Sequence, residues 1–220
     1  MMKKNNNKER KCVIVAGAGI CNYDWIKKYL CEDDYFIYCD SGLKHMDKLG
    51  YDANLIVGDF DSHENPEFDT ETIVLPVAKD DTDSSFAANE AVKRGFRKFI
   101  LIGVIGARID HSIGNLSILL RLHQQGCDAI ALDDYSEISV ISKKTGIATV
   151  DWNDFEYYSV LSVFGNIGDI YERNSKFPMI GGNIYPDDQF GISNEALTGE
   201  TAEVEVRKGT ALIVKVRRMS

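Results

Sequence analysis

The sequence predicts an α/β protein, in which an N-terminal, mostly parallel, doubly wound sheet is followed by a C-terminal antiparallel β-sandwich domain. Two observations support this prediction. Up to about residue 133, short apolar strands alternate with segments of helical spacing, which is typical of a parallel sheet covered by helices on both faces. After residue 136 the helical spacing disappears, and short β-rich runs separated by Gly, Asn and Asp favour an antiparallel sandwich.

Each element of the first part follows from its own residues. Continuous apolar runs such as CVIVA (12–16) predict strands that are buried on both faces, and Gly50 and Gly95 stand where helices end. The predicted strands are 12–16, 35–39, 55–57, 72–76, 98–105 and 128–133. The predicted helices are 22–30, 42–50, 84–95 and 111–126, and the last of them has Ile113, Leu116, Leu119, Leu120 and His123 on one face.

The second part contains five β-rich runs: EISVI, IATVD, YYSVLSV, AEVEV and ALIVKV. The last two predict a pair of strands joined by a turn at Lys208-Gly209. We expect a disordered basic tail over residues 1–11, an α/β domain over 12–136 and a β-sandwich domain over 145–220, with the boundary between Asp134 and Gly146.

The composition excludes several classes of protein. A formal net charge of −9 argues against a nucleic-acid partner, because phosphate binding needs clustered Lys and Arg. Four of the five cysteines lie in or beside apolar segments and none forms a C-x-x-C pair, which indicates buried free thiols in a reducing compartment. No run approaches the roughly 20 apolar residues of a membrane span, so we expect a cytoplasmic protein with no membrane partner.

Acidic residues are concentrated where the predicted strands end. Asp40, Asp59 and Asp110 each follow a strand, Asp61 comes two residues after Asp59, and Asp83 begins a helix. Because the carboxyl ends of parallel strands meet at one edge of a sheet, we expect these side chains to converge there. Two such charges about 4 Å apart repel by roughly 4 kcal/mol at an effective dielectric constant of 20. The cluster therefore predicts a divalent cation such as Mg²⁺, held against substrate phosphates.

Each acid also has a purely structural interpretation. Thr82 or Asp83 is a candidate N-cap of the helix 84–95, and Asp110 is a candidate cap of the following helix. Asp59 and Asp61 are also typical turn residues. The functional interpretation depends on all of them sharing one edge of the sheet.

Further residues fit a phosphate-binding site. The stretch AGAG (16–19) lies between a strand and a helix, where backbone N–H groups can face an anion. Lys79 and Arg108 are cations beside the acidic residues, and His111 adjoins Asp110. The sequence shows no pairing of a nucleophile with a base, which favours chemistry by positioning and charge, as in phosphoryl transfer.

Taken in order, the motifs of the chain resemble those of the thiamine pyrophosphokinase family. The motifs are CDSG (39–42), GDFDS (58–62), KDDTD (79–83), GARIDHSIGNL (106–116), SVFG (162–165) and GISNEA (191–196). Each is unspecific alone, but the ordered set covers the chain from about residue 12 to 216. The resemblance implies a homodimer that transfers the diphosphate group of ATP to the hydroxyl of thiamine, with Mg²⁺ as cofactor and with thiamine diphosphate and AMP as products.

The resemblance also implies roles for individual residues. The metal ligands would be Asp40, Asp59, Asp61 and Asp83, and the catalytic acids would be Asp59, Asp61, Asp83 and Asp110. The sequence leaves open which carboxylate, if any, accepts the hydroxyl proton, and Asp83 is the first candidate. The ATP phosphates would be surrounded by Lys79, Thr82, Arg108 and His111, and the thiamine pyrimidine by Ser193 and Asn194 near the subunit interface.

Three alternative functions remain open from the sequence. A pterin-alcohol diphosphokinase would share the ATP half and differ in its acceptor pocket. A nucleotide sensor would bind Mg-ATP without turnover. A structural α/β protein with an acidic sheet edge would bind neither substrate.

Overall fold

The computed structural model describes residues 9–60, 69–76 and 81–219. The chain divides into two compact units, and the division lies between Asp134 and Tyr135. This division lies at one end of the interval in which we expected the domain boundary. Of the expected basic tail, residues 1–8 lie outside the described residues, and Lys11 is already the first residue of a strand.

Six strands of the first unit form a parallel sheet, as the alternation of strands and helices predicts. The strands are β1 (Lys11–Val15), β2 (Tyr35–Cys39), β3 (Leu55–Gly58), β4 (Thr72–Val74), β5 (Lys98–Ile102) and β6 (Asp128–Leu132). Their order is β4-β3-β2-β1-β5-β6, so the direction of strand addition reverses beside β1. A crevice forms outside the carboxyl ends of the strands at such a reversal, and ligands of α/β sheets bind there.

The helices of the first unit are α1 (Tyr23–Lys27), a 3₁₀ helix (Asp40–His45), α2 (Met46–Leu49), α3 (Asp83–Lys93) and α4 (Ile109–Gln124). The predicted end of α2 at Gly50 is confirmed, since Gly50 is its left-handed C-cap.

The predicted face of α4 is confirmed at Leu119 and wrong in the first turns of the helix. The helix buries Ser112, Asn115, Ile118, Leu119 and Leu122, whereas the side chain of Ile113 is 60% exposed. The apolar pattern was misleading because Ser112 and Asn115, both polar, occupy the inward face of the first turns. Their burial matters for the site described below.

The second unit consists of antiparallel strands, which confirms the predicted change of sheet type. The strands are β7 (Ser136–Ser142), β8 (Ile147–Asp151), β9 (Phe155–Leu161), β10 (Ile167–Arg173), β11 (Met179–Ile184), β12 (Thr201–Lys208) and β13 (Thr210–Arg217). One group is ordered β7-β13-β9 and the other β11-β10-β12-β8. Ala202, Val204 and Val206 on β12 are fully buried, and the residues between them are partly exposed, which is the alternation of a sheet with one covered face.

The turn predicted at Lys208-Gly209 is present, but the strands on either side of it do not pair with each other. β12 pairs with β10 and β8, whereas β13 pairs with β7 and β9. Gly209 has a φ of 79°, and a Cβ there would lie 2.4 Å from the carbonyl oxygen of Asn166. Glycine is therefore required where the chain passes from one sheet to the other.

Two strands of the second unit, β10 and β11, were not among the predicted runs. Acidic and basic residues interrupt β10, and Gly181-Gly182 interrupts β11. Both features weaken a strand pattern in the sequence, although pairing with β12 supports β10 in the folded chain.

All five cysteines are free. Burial was expected from their apolar surroundings and is found for Cys12, Cys39 and Cys127, whereas Cys21 and Cys31 are exposed. Among the described residues, no helix combines the length and the apolar character needed to cross a membrane.

Candidate functional site

Three carboxylates come together at the carboxyl edge of the parallel sheet. Asp40 follows β2, Asp59 follows β3, and Asp83 is the first residue of α3. One oxygen from each carboxylate lies within 4.8 Å of the others, and all three side chains are half-buried. The donor set consists of hard oxygen ligands, which fits the coordination chemistry of Mg²⁺.

The approach of Asp40 to β3 depends on Gly58, the last residue of that strand. A Cβ at position 58 would lie 2.7 Å from the Cβ of Asp40 and 3.2 Å from its Cα. Such contacts are too short for carbon atoms, so only glycine lets Asp40 sit beside the strand end.

Thr82, not Asp83, is the N-cap of α3. Its hydroxyl oxygen accepts a hydrogen bond of 3.3 Å from the backbone N–H of Ser85. The Asp83 side chain is therefore not needed for the cap and belongs to the carboxylate group. The helix N-terminus also favours a negative charge at this position.

A cleft of about 370 Å³ adjoins the carboxylates, and Asp83 contributes to both. Its walls come from the loops that follow β1 and β5, the start of the 3₁₀ helix after β2, and the first turns of α3 and α4. The lining includes Gly17, Gly19, Ser41, Thr82, Arg108 and His111. The AGAG stretch therefore lies in the crevice where strand order reverses, as its position in the sequence suggested.

The 3₁₀ helix that begins at Asp40 holds the loop after β1. Lys44 Nζ donates to the carbonyl oxygen of Gly17 at 2.5 Å. His45, which is 3% exposed, places Nε2 2.9 Å from the carbonyl oxygen of Ala18. The same short 3₁₀ helix therefore carries Asp40 and holds the loop after β1 in place.

The hydrogen bonds of His45 determine its tautomer. A carbonyl oxygen only accepts, so Nε2 must carry the proton, and Nδ1 of the neutral ring accepts from the hydroxyl of Tyr23 at 2.8 Å. Burial lowers the pKa of His45, with a smaller opposite effect from the bond to Ala18. Sequence reasoning gave His45 no role, since nothing in the 42–50 stretch marks it as buried.

Arg108, Asp110 and His111 lie at the start of α4. Arg108 donates to both carboxylate oxygens of Asp110, at 2.9 and 2.6 Å, and both side chains are exposed. This pairing lowers the pKa of Asp110. Asp110 is not in the group formed by the other three carboxylates, and it does not cap α4, where Arg108 occupies the N-cap position.

Buried polar side chains in the lining of the cleft connect α3 to α4. Ser84 donates its hydroxyl hydrogen to Asn115 Oδ1 at 2.9 Å, and Asn115 Nδ2 donates to the carbonyl oxygen of Val104 at 2.7 Å. The sequence carried one signal for this role, because Ser112 and Asn115 are polar residues three positions apart, which places them on one face of the helix.

Two predicted site residues, Asp61 and Lys79, lie outside the described residues. Their proposed contacts with metal and phosphate stay predictions.

Comparison with known proteins identifies the family of the N-terminal part of the chain. A family model described as "Thiamin pyrophosphokinase, catalytic domain" matches residues 26–131. This part of the chain belongs to the thiamin pyrophosphokinase catalytic-domain family. The resemblance seen in the sequence motifs is thereby confirmed, and Asp40, Asp59, Asp83, Arg108 and His111 all lie within the matched segment. No curated protein matches the sequence.

Solved structures of thiamin pyrophosphokinases share the fold over almost the whole chain. Thiamine pyrophosphokinase from Bacillus subtilis is 20% identical, with a TM-score of 0.84, and the match covers 96% of this chain and 100% of that one. A thiamin pyrophosphokinase family protein from Enterococcus faecalis is 26% identical, with a TM-score of 0.76 and coverage of 96% and 100%. The enzyme from Geobacillus thermodenitrificans is 23% identical, with a TM-score of 0.81 and coverage of 96% and 99%.

The remaining predicted residues, Ser193 and Asn194, lie in the second unit, outside the thiamin pyrophosphokinase catalytic-domain match. Ser193 is exposed and has a φ of 59°. Asn194 is 6% exposed, and its backbone forms a two-way bridge with Tyr158 of β9. The adjacent residues therefore have different environments, one open to solvent and one inside the unit.

Proposed function

We propose that the protein transfers the diphosphate group of ATP to the hydroxyl of thiamine, giving thiamine diphosphate and AMP. The observation that carries the proposal is the position of Asp40, Asp59 and Asp83. All three lie within the segment that matches the thiamin pyrophosphokinase catalytic domain, and their oxygens gather within 4.8 Å beside a cleft.

The residues of the cleft suit a polyphosphate substrate. In the proposed complex, Asp40, Asp59 and Asp83 hold Mg²⁺, and Thr82, Arg108 and His111 face the nucleotide phosphates. When bound, Mg²⁺ neutralises phosphate charge and orients the phosphate oxygens for in-line attack. Arg108 is a fork-shaped donor of the kind that binds phosphate in a bidentate manner, and it would exchange Asp110 for substrate oxygens.

The proposed reaction is a displacement at phosphorus. The thiamine hydroxyl oxygen bonds to the β-phosphorus of ATP, the bond from that phosphorus to the oxygen of the α-phosphate breaks, and AMP leaves with that oxygen. Asp83 is the proposed acceptor of the hydroxyl proton, because it lies in both the carboxylate group and the cleft.

In this proposal the α/β domain, expected from the sequence over 12–136, binds the nucleotide, and the β-sandwich domain, expected over 145–220, provides Ser193 and Asn194 to thiamine. A homodimer and a cytoplasmic location complete the proposal. The homodimer rests on the family resemblance, and the location rests on the sequence. Sedimentation at micromolar concentration would measure the oligomeric state.

The deciding experiment combines purified protein with Mg-ATP and thiamine and identifies the products. We expect thiamine-dependent AMP and thiamine diphosphate from the wild type, and none from Asp59→Asn. Asp52→Asn is the matched control, since Asp52 is an exposed aspartate that precedes the same strand, β3. It should retain full activity.

Each alternative gives a different result. AMP formation with hydroxymethylpterin but not with thiamine would assign a pterin-alcohol diphosphokinase. Thermal stabilisation by Mg²⁺ with an ATP analogue, without AMP formation, would assign a sensor. If neither AMP formation nor thermal stabilisation is observed, the result would favour a structural protein.

A further inference from the structure

A buried acidic residue in the second unit is joined to Asn194. Glu172 of β10 is 2% exposed. Its Oε2 accepts hydrogen bonds from the Tyr158 hydroxyl at 2.7 Å and from Asn194 Nδ2 at 2.5 Å. A carboxyl group is seldom buried unless its oxygens are hydrogen-bonded, and both donors here are themselves buried.

The side chain of Asn194 is saturated by contacts within the unit. Its Nδ2 donates to Glu172 and to the carbonyl oxygen of Phe177 at 2.9 Å. Its Oδ1 accepts from the backbone N–H groups of Phe177 at 3.1 Å and Glu195 at 2.9 Å. Backbone N–H groups only donate, so these bonds fix which end of the amide is oxygen. No hydrogen of Asn194 Nδ2 is left for a substrate.

These contacts determine where Ser193 lies. Asn194 is bridged to Tyr158 on one side and bonded to Phe177 on the other. The Ser193 N–H donates to the hydroxyl oxygen of Ser159 at 3.1 Å, and Ser193 itself is exposed and has a left-handed φ. A non-glycine residue keeps such a conformation only where its surroundings impose it.

We propose that Glu172 is a positioning residue for the acceptor site, which acts through the Asn194 side chain to hold Ser193 in place for thiamine. The proposal rests on the proposed function, and it changes the role of Asn194 from a substrate contact to an anchor. Burial raises the pKa of Glu172, while its two hydrogen bonds act in the opposite direction, as expected of an acidic group kept for its hydrogen bonds.

The test compares Glu172→Ala with Glu172→Gln. Gln keeps an acceptor oxygen for Tyr158 and Asn194, whereas Ala removes it. We expect Glu172→Ala to raise the KM for thiamine at least tenfold, with the KM for ATP unchanged and kcat within about threefold. Gln should restore the thiamine KM to within about threefold of the wild type. Glu203→Ala is the control, because Glu203 is a partly exposed glutamate on the neighbouring strand β12.

A second measurement does not depend on activity. The backbone N–H groups of Phe177 and Glu195 both donate to Asn194 Oδ1, so their hydrogen exchange reports on the anchor. We expect faster exchange at these two amides in Glu172→Ala and wild-type exchange in Glu172→Gln and Glu203→Ala. Where Glu172→Ala fails to fold, Tyr158→Phe removes one of the two donors and should raise the thiamine KM by a smaller factor.

Three results would overturn the proposal. The first is a wild-type thiamine KM in Glu172→Ala, the second is an equal loss in both KM values and kcat, and the third is unchanged exchange at Phe177 and Glu195. A wild-type protein that makes no thiamine-dependent AMP would instead overturn the proposed function and the acceptor role with it. In that case, faster exchange at Phe177 and Glu195 in Glu172→Ala would still show that Glu172 anchors Asn194, so the two failures can be distinguished.

Discussion

Adding one methyl group at Gly58 should disable the carboxylate site without removing any of its residues. In Gly58→Ala the new Cβ would lie 2.7 Å from the Cβ of Asp40, whereas carbon atoms in contact are about 3.5–4.0 Å apart. Asp40 must therefore retreat by about 1 Å. Position 58 is not among the residues with positive φ, so the effect is steric.

The magnitude follows from the crowding. Forcing an extra carbon into a packed site costs about 1–3 kcal/mol, which lowers the melting temperature by about 2–4 °C per kcal/mol in a chain of this size. A misplacement of about 1 Å at a reacting centre reduces turnover by about 100-fold. We therefore expect a modest loss of stability together with a large loss of thiamine-dependent AMP formation.

The assay measures AMP formation and thermal unfolding on the same preparation. Asp40→Asn should lose activity to a similar extent and keep the wild-type melting temperature more closely, since it adds no atom. Wild-type activity in Gly58→Ala would refute the reasoning, because it would mean that Asp40 can move without consequence for the reaction.

Three other changes have expected outcomes. Gly114→Ala lies inside α4, where a Cβ meets no atom within 4 Å, and it should stabilise the protein by about 0.5–1 kcal/mol in urea denaturation; a loss would contradict the helical geometry. Burial lowers the pKa of His45 below its ordinary 6.5. The stability that the neutral histidine contributes is therefore present above that pH and decreases as pH falls. This pH dependence should be weaker in His45→Gln. Burial raises the pKa of Glu172 above its ordinary 4.5, so its contribution is full below that pH and decreases as pH rises. Glu172→Gln should therefore gain stability relative to the wild type as pH rises above 4.5. Urea midpoints across pH would check both, and parallel curves for variant and wild type would contradict the assigned burial.

The gathering of Asp40, Asp59 and Asp83 was predictable because it depends on local features. Each follows a strand or begins a helix, and parallel strands place such positions on one edge whatever the rest of the chain does. The change of sheet type after residue 136 was predictable for the same reason, since the period of the apolar residues changes there.

The environment of Asp110 was not predictable at this level. Its position after β5 suggested the same edge, but the loop between β5 and α4 intervenes, and Arg108 two residues earlier takes both of its oxygens. A short-range ion pair of this kind depends on side-chain geometry that spacing does not encode. The face of α4 was mistaken for a related reason, because Ser112 and Asn115 are buried by bonds to Gly106, Val104 and Ser84.

The Ser193-Asn194 pair shows that adjacent residues of one sequence motif can lie in different environments. Nothing in GISNEA separates the two residues, yet the structure turns one outward and encloses the other. The difference comes from Tyr158, Glu172 and Phe177, which lie 36, 22 and 17 residues before Asn194 in the chain and belong to three different segments. The motif therefore proposes where an acceptor site forms, whereas the partners that saturate the Asn194 side chain determine which of the two residues remains able to bind.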